Sequence, residues 1–414
     1  MNSSPSKTNL LGLTRAELDA FVVGMGEKAF RARQLYKWLF KRFESDFDKM
    51  TDLAKSFRQK LGEIAEVRTP VIKLSQVSAD GTRKWLLAMD GSHAATAVGE
   101  FDTRQCIEMV YIPEPGRGTL CISSQIGCAM DCTFCSTAQQ GFNRNLTTAE
   151  IVGQVWLANR ELQALSLPPI DESLDDESES TLTQAPDPKP SGPKSNGPRL
   201  ITNIVFMGMG EPLANYRNVI PATEILMDDL GFDISRRRVT VSTSGLVPQM
   251  MKLAEETNCA LAVSLHAPDD ELRDQLVPIN RKHPIAELLD ACWHYVQRQN
   301  ARSITFEYVM LDGVNDKPEQ ALQLARLLKG RPAKVNLIPF NPFPNTRYKR
   351  SPAPVIERFR ELLNAHGVIA TTRRTRGDDI DAACGQLVGR VQDRVVNRLG
   401  ARLGSKHFDV EVRS

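Results

Sequence analysis

Hydrophobic and polar positions along the chain change period twice. Residues Leu11–Glu66 repeat at helical spacing. Thr14-x-x-Glu17 is a capping-box pattern opening a short helix that ends near Gly24. Ala29–Arg42 carries Phe30, Leu35, Trp38, Leu39 and Phe40 as an apolar face, and Thr51 is placed to cap a third helix, Leu53–Ile64. The other side exposes Arg33, Lys37, Lys41, Arg42, Arg58 and Lys60, a basic face that is either solvated or an RNA contact. Short strands follow. Val71–Val77 and Thr82–Met89 flank the hairpin signal Asp80-Gly81, and Gln105–Ile112 and Thr119–Ser124 come next. Glu108 interrupts the third apolar run, so its carboxylate faces solvent or a site.

Thr147-x-x-Glu150 caps a helix running to about Leu162, after which Leu167–Pro198 breaks the pattern. That stretch is rich in Pro, Ser and acidic residues and reads as a disordered surface insertion. From Ile201 strand and helix alternate. The strands are Thr202–Met207, Arg238–Thr243, Ala260–His266, Ser303–Leu311 and Ala333–Ile338, with helices near Val219–Leu230, Val247–Glu256, Ile285–Gln299 and Pro318–Lys329. With Thr119–Ser124 this makes six β/α units, an α/β chain whose parallel sheet predicts a partial (β/α)6 barrel. The division expected is a helical domain at 1–66, a strand-rich connector at 67–118, and the barrel with its C-terminal segment at 119–166 and 199–400. The insertion occupies 167–198 and a tail 401–414.

Composition is that of an ordinary globular chain: 414 residues, 41% hydrophobic and 25% charged. No apolar run is long enough for a transmembrane helix and Met1–Asn9 has no apolar export region, so the expectation is a cytoplasmic protein away from membranes. The net charge of +2 is uneven. Between Pro168 and Pro198 seven acidic residues face two lysines, a segment charge of −5 that leaves about +7 for the rest. A moderately basic body suits a phosphate-bearing partner.

The candidate chemistry centres on Gly127–Ser136. Cys128, Cys132 and Cys135 stand at C-x3-C-x2-C. Four-thiolate iron–sulfur clusters use four cysteines; three on one loop leave an iron open to a small molecule, the signature of radical S-adenosylmethionine chemistry. The alternative is a structural zinc site with Cys121 as fourth ligand. Functional groups of such barrels gather at the C-terminal ends of the strands. There the sequence offers Gly208-Met209-Gly210-Glu211-Pro212, whose glycines would let backbone approach a ligand and whose Glu211 could accept from an ammonium group. It also offers Ser242-Thr243-Ser244-Gly245, Ser264-Leu265-His266 and the run Asn336 to Asn341. Cys106, Cys259 and Cys292 read as core, and Met109, Met207 and Met209 as packing.

As they stand, these residues resemble the RlmN/Cfr family of radical S-adenosylmethionine RNA methyltransferases. The similarity spans nearly the whole chain: Gly127–Asn145, Gly208–Leu213, Ser235–Gly245, Ser264–Pro268 and Thr375–Leu387. The departures are the acidic insertion and a longer loop at Gly91–Arg104. The resemblance is closer to the adenine-C2 branch than to the adenine-C8 branch, which shares every cysteine. It implies methylation at C2 of adenine 2503 in 23S rRNA and of adenine 37 in tRNAs, using two S-adenosylmethionines per turnover. It further implies a [4Fe-4S] cluster on Cys128, Cys132 and Cys135, with S-adenosyl-L-methionine held by Gly210, Glu211, Ser242, Ser264, Leu265, His266 and Asn341. Cys384 would carry the methyl group, Glu108 would accept the C2 proton, and Cys121 would release the product by a transient disulfide with Cys384. An electron donor such as flavodoxin would be needed, and a monomer is expected. Arg236-Arg237-Arg238 and Arg373, Arg374 and Arg376 are expected to flank the site and meet phosphate, with the target base drawn out of its stack.

Overall fold

The computed structural model describes residues 7–89, 105–165, 167, 199–344, 346–380, 387 and 390–391. The loop at 91–104, residues 168–198 of the insertion, Cys384 and the tail at 401–414 lie outside the described residues. No helix among the described residues is long and apolar enough to cross a membrane.

Helix α1 (Arg15–Gly24) starts at the expected capping box: Thr14 N donates to Glu17 Oε2 at 2.8 Å, and Glu17 N to Thr14 Oγ1 at 3.3 Å. Helix α2 (Ala29–Phe40) buries Leu35, Tyr36, Leu39 and Phe40. Phe30 does not join that face. It is 48% exposed, because its neighbours at i+3, i+4 and i+7 are Arg33, Gln34 and Lys37, the polar side of the helix. Helix α3 (Lys55–Ile64) begins later than expected and Thr51 does not cap it. Met50 and Leu53 are drawn into the core, which leaves Thr51 and Asp52 in the turn between them, where Asp52 accepts a hydrogen bond from Trp38 Nε1. Strands β1 (Thr8–Asn9) and β2 (Ala65–Glu66) pair in parallel and bring the two ends of this unit together. Much of its basic face is engaged within the chain. Lys41 lies 3.8 Å from Asp233, Lys60 lies 3.5 Å from Glu27, Arg58 donates to the Asp48 carbonyl, and the Arg42 guanidinium sits 3.9 Å above the Trp38 ring. Arg33 and Lys37 stand exposed.

The main sheet begins with three antiparallel strands, β3 (Val71–Val77), β4 (Arg83–Ala88) and β5 (Gln105–Glu114), followed by β6 (Arg117–Cys121). β6 starts and stops earlier than the run Thr119–Ser124 suggests. Residues beyond Cys121 turn instead into β7 (Gln125–Gly127), which pairs with β8 (Phe142–Asn145) in a separate ribbon. Between them lie the cysteine loop and the short helix α4 (Ser136–Gln139). Helix α5 (Thr148–Ala164) opens on its expected capping box at Thr147 and Glu150. Its Trp156 Nε1 donates to Leu39 O at 2.8 Å, tying the N-terminal helices to the rest.

Parallel strands then extend from β6: β9 (Asn203–Phe206), β10 (Val239–Thr243), β11 (Ala260–Ser264), β12 (Ile304–Met310), β13 (Ala333–Pro339) and β14 (Ile369–Thr372). Helices α6 (Tyr216–Met227), α7 (Val247–Glu256), α9 (Ile285–Gln299), α10 (Pro318–Leu328) and α11 (Ala353–Ala365) link them, with a short α8 (Asp270–Leu276) ahead of α9. The sheet order runs from β14 to β3 with those two strands unpaired to each other, so the barrel is open. It has one more parallel strand than the six expected. Only four residues long and half exposed, β14 lacks the apolar run by which the others are recognised. A last pair, β15 (Arg390–Val391), lies antiparallel on β5.

Period-two alternation sorts the strands into two faces. Val241, Val263, Phe306 and Val335 are buried on one, within the same apolar core as Leu253 of α7, Leu288 of α9 and Leu324 of α10. The other face is polar and lines the barrel interior. Register places Ser242, Ala262, Thr305 and Lys334 in one row, and Ser264, Glu307, Asn336 and Thr371 in the next. Most of these are half-buried rather than packed, so the interior is lined by hydroxyl, amide and charged groups.

Candidate active site

The cysteine loop leaves β7 at Gly127, whose φ of 76° suits glycine, and turns again at Asp131, φ 54°. Cys128 N donates to Gly141 O at 2.8 Å and Cys135 N to Cys132 O at 3.2 Å. The loop is fastened to the barrel rim by Thr133, whose N donates to Leu276 O of α8 at 3.1 Å and whose hydroxyl lies 2.8 Å from that of Tyr348. Phe134 sets its ring against the His266 imidazole at 4.6 Å. Burial, and then the Cys135 sulfur, push the Cys128 thiol up; burial, Cys135 and Cys128 do the same to Cys132. The sulfurs thus disfavour one another's thiolate forms, a cost that cationic iron removes. The donor set fits an iron–sulfur cluster with an open iron: three soft sulfurs on one loop, in apolar surroundings that include Ala267, Leu276 and Phe340. No group of three or more His, Cys, Asp and Glu side chains among the described residues closes around a single ion. Cys121, the fourth sulfur of a zinc alternative, sits in β6 in register with Val110 and Val205.

At the end of β9 the glycines make a close approach within the chain itself. A Cβ on Gly208 would lie 2.6 Å from Ser123 Oγ and 2.7 Å from Ile122 O, and one on Gly210 would lie 2.4 Å from Gln125 Cβ. The close approach is to the chain's own segment after β6. Gly208→Ala is therefore expected to cost about 1–3 kcal/mol in urea unfolding, whereas Gly62→Ala, in open space on α3, should stabilise by about 0.5–1 kcal/mol. Glu211 is 4% exposed. Burial pushes its carboxyl up, against hydrogen bonds from Ser244 N at 2.8 Å, Ser244 Oγ at 2.9 Å and Leu213 N at 3.0 Å. It cross-links the ends of β9 and β10.

Ser242 and Ser264 face the interior, and Leu265 is fully buried. His266 holds a left-handed φ of 61°, rare for a residue with a side chain. Its Nδ1 accepts from Val309 N at 3.0 Å and its carbonyl from Asn315 Nδ2 at 2.8 Å. Burial, then the charge of Arg273, lower its imidazole to about 3. At neutral pH the ring is uncharged, with its proton on Nε2. Asn341 is buried, its Oδ1 accepting from Arg350 Nη2 at 2.5 Å.

Three groups are absent from the sequence reading. Arg273 of α8 is fully buried and donates to Ser244 O at 2.7 Å, Ser264 O at 3.0 Å, Leu265 O at 3.1 Å and Asn280 Oδ1 at 2.7 Å. Burial lowers its guanidinium to about 10, so it stays charged at neutral pH. Glu307 is buried in the interior with Asn336 Nδ2 donating to it at 2.8 Å; burial raises its carboxyl, against the charge of Arg373. Lys84, also buried, places Nζ 3.4 Å from Glu108 Oε1. Register aligns Lys84 with Val110 and Val110 with Cys121, so Lys84, Glu108 and Cys121 share the interior face. A lysine inside the apolar run of β4 was the available signal. Cys106, Cys259 and Cys292 are buried, as expected.

The arginine clusters separate. Arg373 follows β14 and its charge reaches Glu307, and Arg376 lies 3.9 Å from Asp80 and 3.7 Å from Glu114. Arg236–Arg238 precedes β10 and therefore sits at the N-terminal rim of the parallel strands, opposite the cysteine loop. It does not flank the site.

Comparison with known proteins gives a consistent result. Residues 8–67 match the ribosomal RNA large subunit methyltransferase N-terminal domain, and residues 196–325 the radical SAM superfamily. The chain is 50% identical over 395 residues to a dual-specificity RNA methyltransferase RlmN from Marinobacter nauticus, covering 95% of this chain and 96% of that one. It is also 50% identical to one from Alcanivorax borkumensis, covering 95% and 93%. A solved structure of a radical SAM methyltransferase from Sphaerobacter thermophilus superposes with a TM-score of 0.76 at 40% identity, covering 92% of this chain and 99% of that one.

Proposed function

The chain belongs to the RlmN family of radical SAM methyltransferases, and we propose that it methylates C2 of adenine in both 23S rRNA and tRNA. Membership brings a [4Fe-4S] cluster and S-adenosylmethionine as cofactors. Cys128, Cys132 and Cys135 would hold the cluster, and the strand ends at Gly210, Glu211, Ser242, Ser264, Leu265, His266 and Asn341 would hold S-adenosylmethionine. When bound, these cofactors supply the radical that C2 needs, since that carbon lies between two ring nitrogens and is too electron-poor to attack a methyl group as a nucleophile.

The chain's own groups do the rest. The methyl group reaches C2 from Cys384, Glu108 takes the C2 proton, and Cys121 releases the product by bonding to Cys384. The observation that carries this reading is the shared interior face of Glu108 and Cys121, with Lys84 beside the carboxylate. Glu211, fastened by Ser244 and Leu213, positions the β9 and β10 ends, and neutral His266 offers its Nε2–H as a donor. Residues 1–66 would grip the RNA through Arg33 and Lys37 of α2. An electron donor such as flavodoxin, a monomeric state and a cytoplasmic location complete the proposal.

Reconstituted protein, a reductant, methyl-deuterated S-adenosylmethionine and unmodified 23S rRNA or tRNA, incubated without oxygen, test it. Digestion and mass spectrometry should find labelled 2-methyladenosine lacking one deuterium, because the methyl group passes through a methylene. A methyl group retaining every deuterium would point to direct transfer. Labelled 8-methyladenosine would move the activity to the other branch of the family.

A further inference from the structure

Arg273 is a fully buried cation with no carboxylate at ion-pair distance among the described residues. Its hydrogen-bonding partners are three backbone carbonyls and one amide oxygen. Asp270 and Asp274 reach it through Asn280, whose Nδ2 donates to Asp270 Oδ1 at 2.9 Å and to Asp274 Oδ1 at 2.7 Å. A buried charge left without an ion pair is costly, and the surroundings show where this one is directed. The helix that carries Arg273 ends at Leu276, whose carbonyl receives the Thr133 amide of the cysteine loop. Cys132 packs in the same apolar group as Leu276. Leu265, whose carbonyl Arg273 holds, is followed by His266, and the His266 ring packs against Phe134, which stands between Cys132 and Cys135 in the loop. The guanidinium grips the ends of β10 and β11, where Ser244 also binds Glu211. Helix α8 therefore ties the cysteine loop to the strand ends, through the Leu276 carbonyl on one side and the Arg273 guanidinium on the other.

We propose that Arg273 is a positioning residue for the iron–sulfur site, supplying the fixed positive charge that makes the cluster easier to reduce. Three thiolates and a cluster that takes up an electron concentrate negative charge beside it, in a region with little water to screen it. A unit charge within about 10 Å, at an effective dielectric constant near 20, is worth roughly tenfold or more in the reduction equilibrium. The proposal rests on the reading that Cys128, Cys132 and Cys135 hold the cluster.

The test is a redox titration of reconstituted full-length protein, followed by electron paramagnetic resonance, with iron counted in each sample. Arg273→Met and Arg273→Gln remove the charge; Arg273→Lys keeps it without the fork. Both neutral variants should be harder to reduce, with the equilibrium shifted roughly tenfold or more, and the lysine variant should stay close to the parent. A merely structural role lowers unfolding temperature in all three without separating charged from neutral variants, and that result would overturn the proposal. If neither neutral variant folds, the lysine variant decides, since a tenfold shift with the charge retained is incompatible with it. Parent protein that takes up no iron would instead overturn the cluster reading beneath it.

Discussion

Cys132→Ser is expected to leave a folded protein that takes up almost no iron and transfers no detectable methyl group. Serine is nearly isosteric, but its oxygen is a hard, weakly acidic donor where the cluster needs thiolate sulfur. Cys132 is on a loop held by backbone bonds of its neighbours, Cys135 N to Cys132 O and Thr133 N to Leu276 O, and neither uses the sulfur. Unfolding should therefore shift little. Iron should fall from about four per chain toward zero, and methylation by roughly a thousandfold or more, as when a group that acts as part of a unit is removed. Cys292→Ala is the contrast. That sulfur is fully buried in α9, far from the loop in role, so its loss should cost about 1–2 kcal/mol of stability with iron and methylation retained. Parallel iron assays and urea unfolding on the two variants separate the outcomes. A Cys132→Ser protein with a full cluster would remove this residue from the ligand set.

That contrast also marks what was legible in the sequence. The three cysteines could be read because their spacing is local, and α1 and α5 because a capping box is four residues long. Their boundaries followed. The glycines of Gly208-Met209-Gly210 were legible as places that exclude a side chain, but not for what: the obstacle is Ser123 and Gln125, more than eighty residues earlier. Arg236-Arg237-Arg238 was legible as charge, whereas its rim depends on which end of β10 it adjoins. Arg273 was hidden most completely. No motif or period in Asp270–Leu276 singles out its one arginine, and only the tertiary packing shows that it points inward at Ser244, Ser264 and Leu265. Long-range partners of a buried charge leave no periodic trace.

Glu108 and Lys84 stand between those cases, each out of place in an apolar strand and joined only by register. Glu108→Gln is expected to lower methylated RNA by roughly 10²–10⁴-fold while Cys384 still becomes methylated. If the carboxylate takes the C2 proton, stopping it should strand the RNA on the protein, visible as a band that survives denaturing electrophoresis and disappears on RNase treatment. Lys84→Met should give a weaker form of the same trapping. It removes the ammonium 3.4 Å from Oε1 and leaves a buried carboxylate short of its cation, a loss that costs several kcal/mol when one member of a buried pair is deleted. Lys84→Arg, which restores a cation, should recover much of the activity. The Cys121 sulfur on the same interior face gives an internal check. Cys121→Ala should trap RNA too if, as proposed, bond cleavage at Cys384 follows proton removal. Loss of methylation in Glu108→Gln without trapped RNA would place the carboxylate earlier, at base binding, and Lys84 with it.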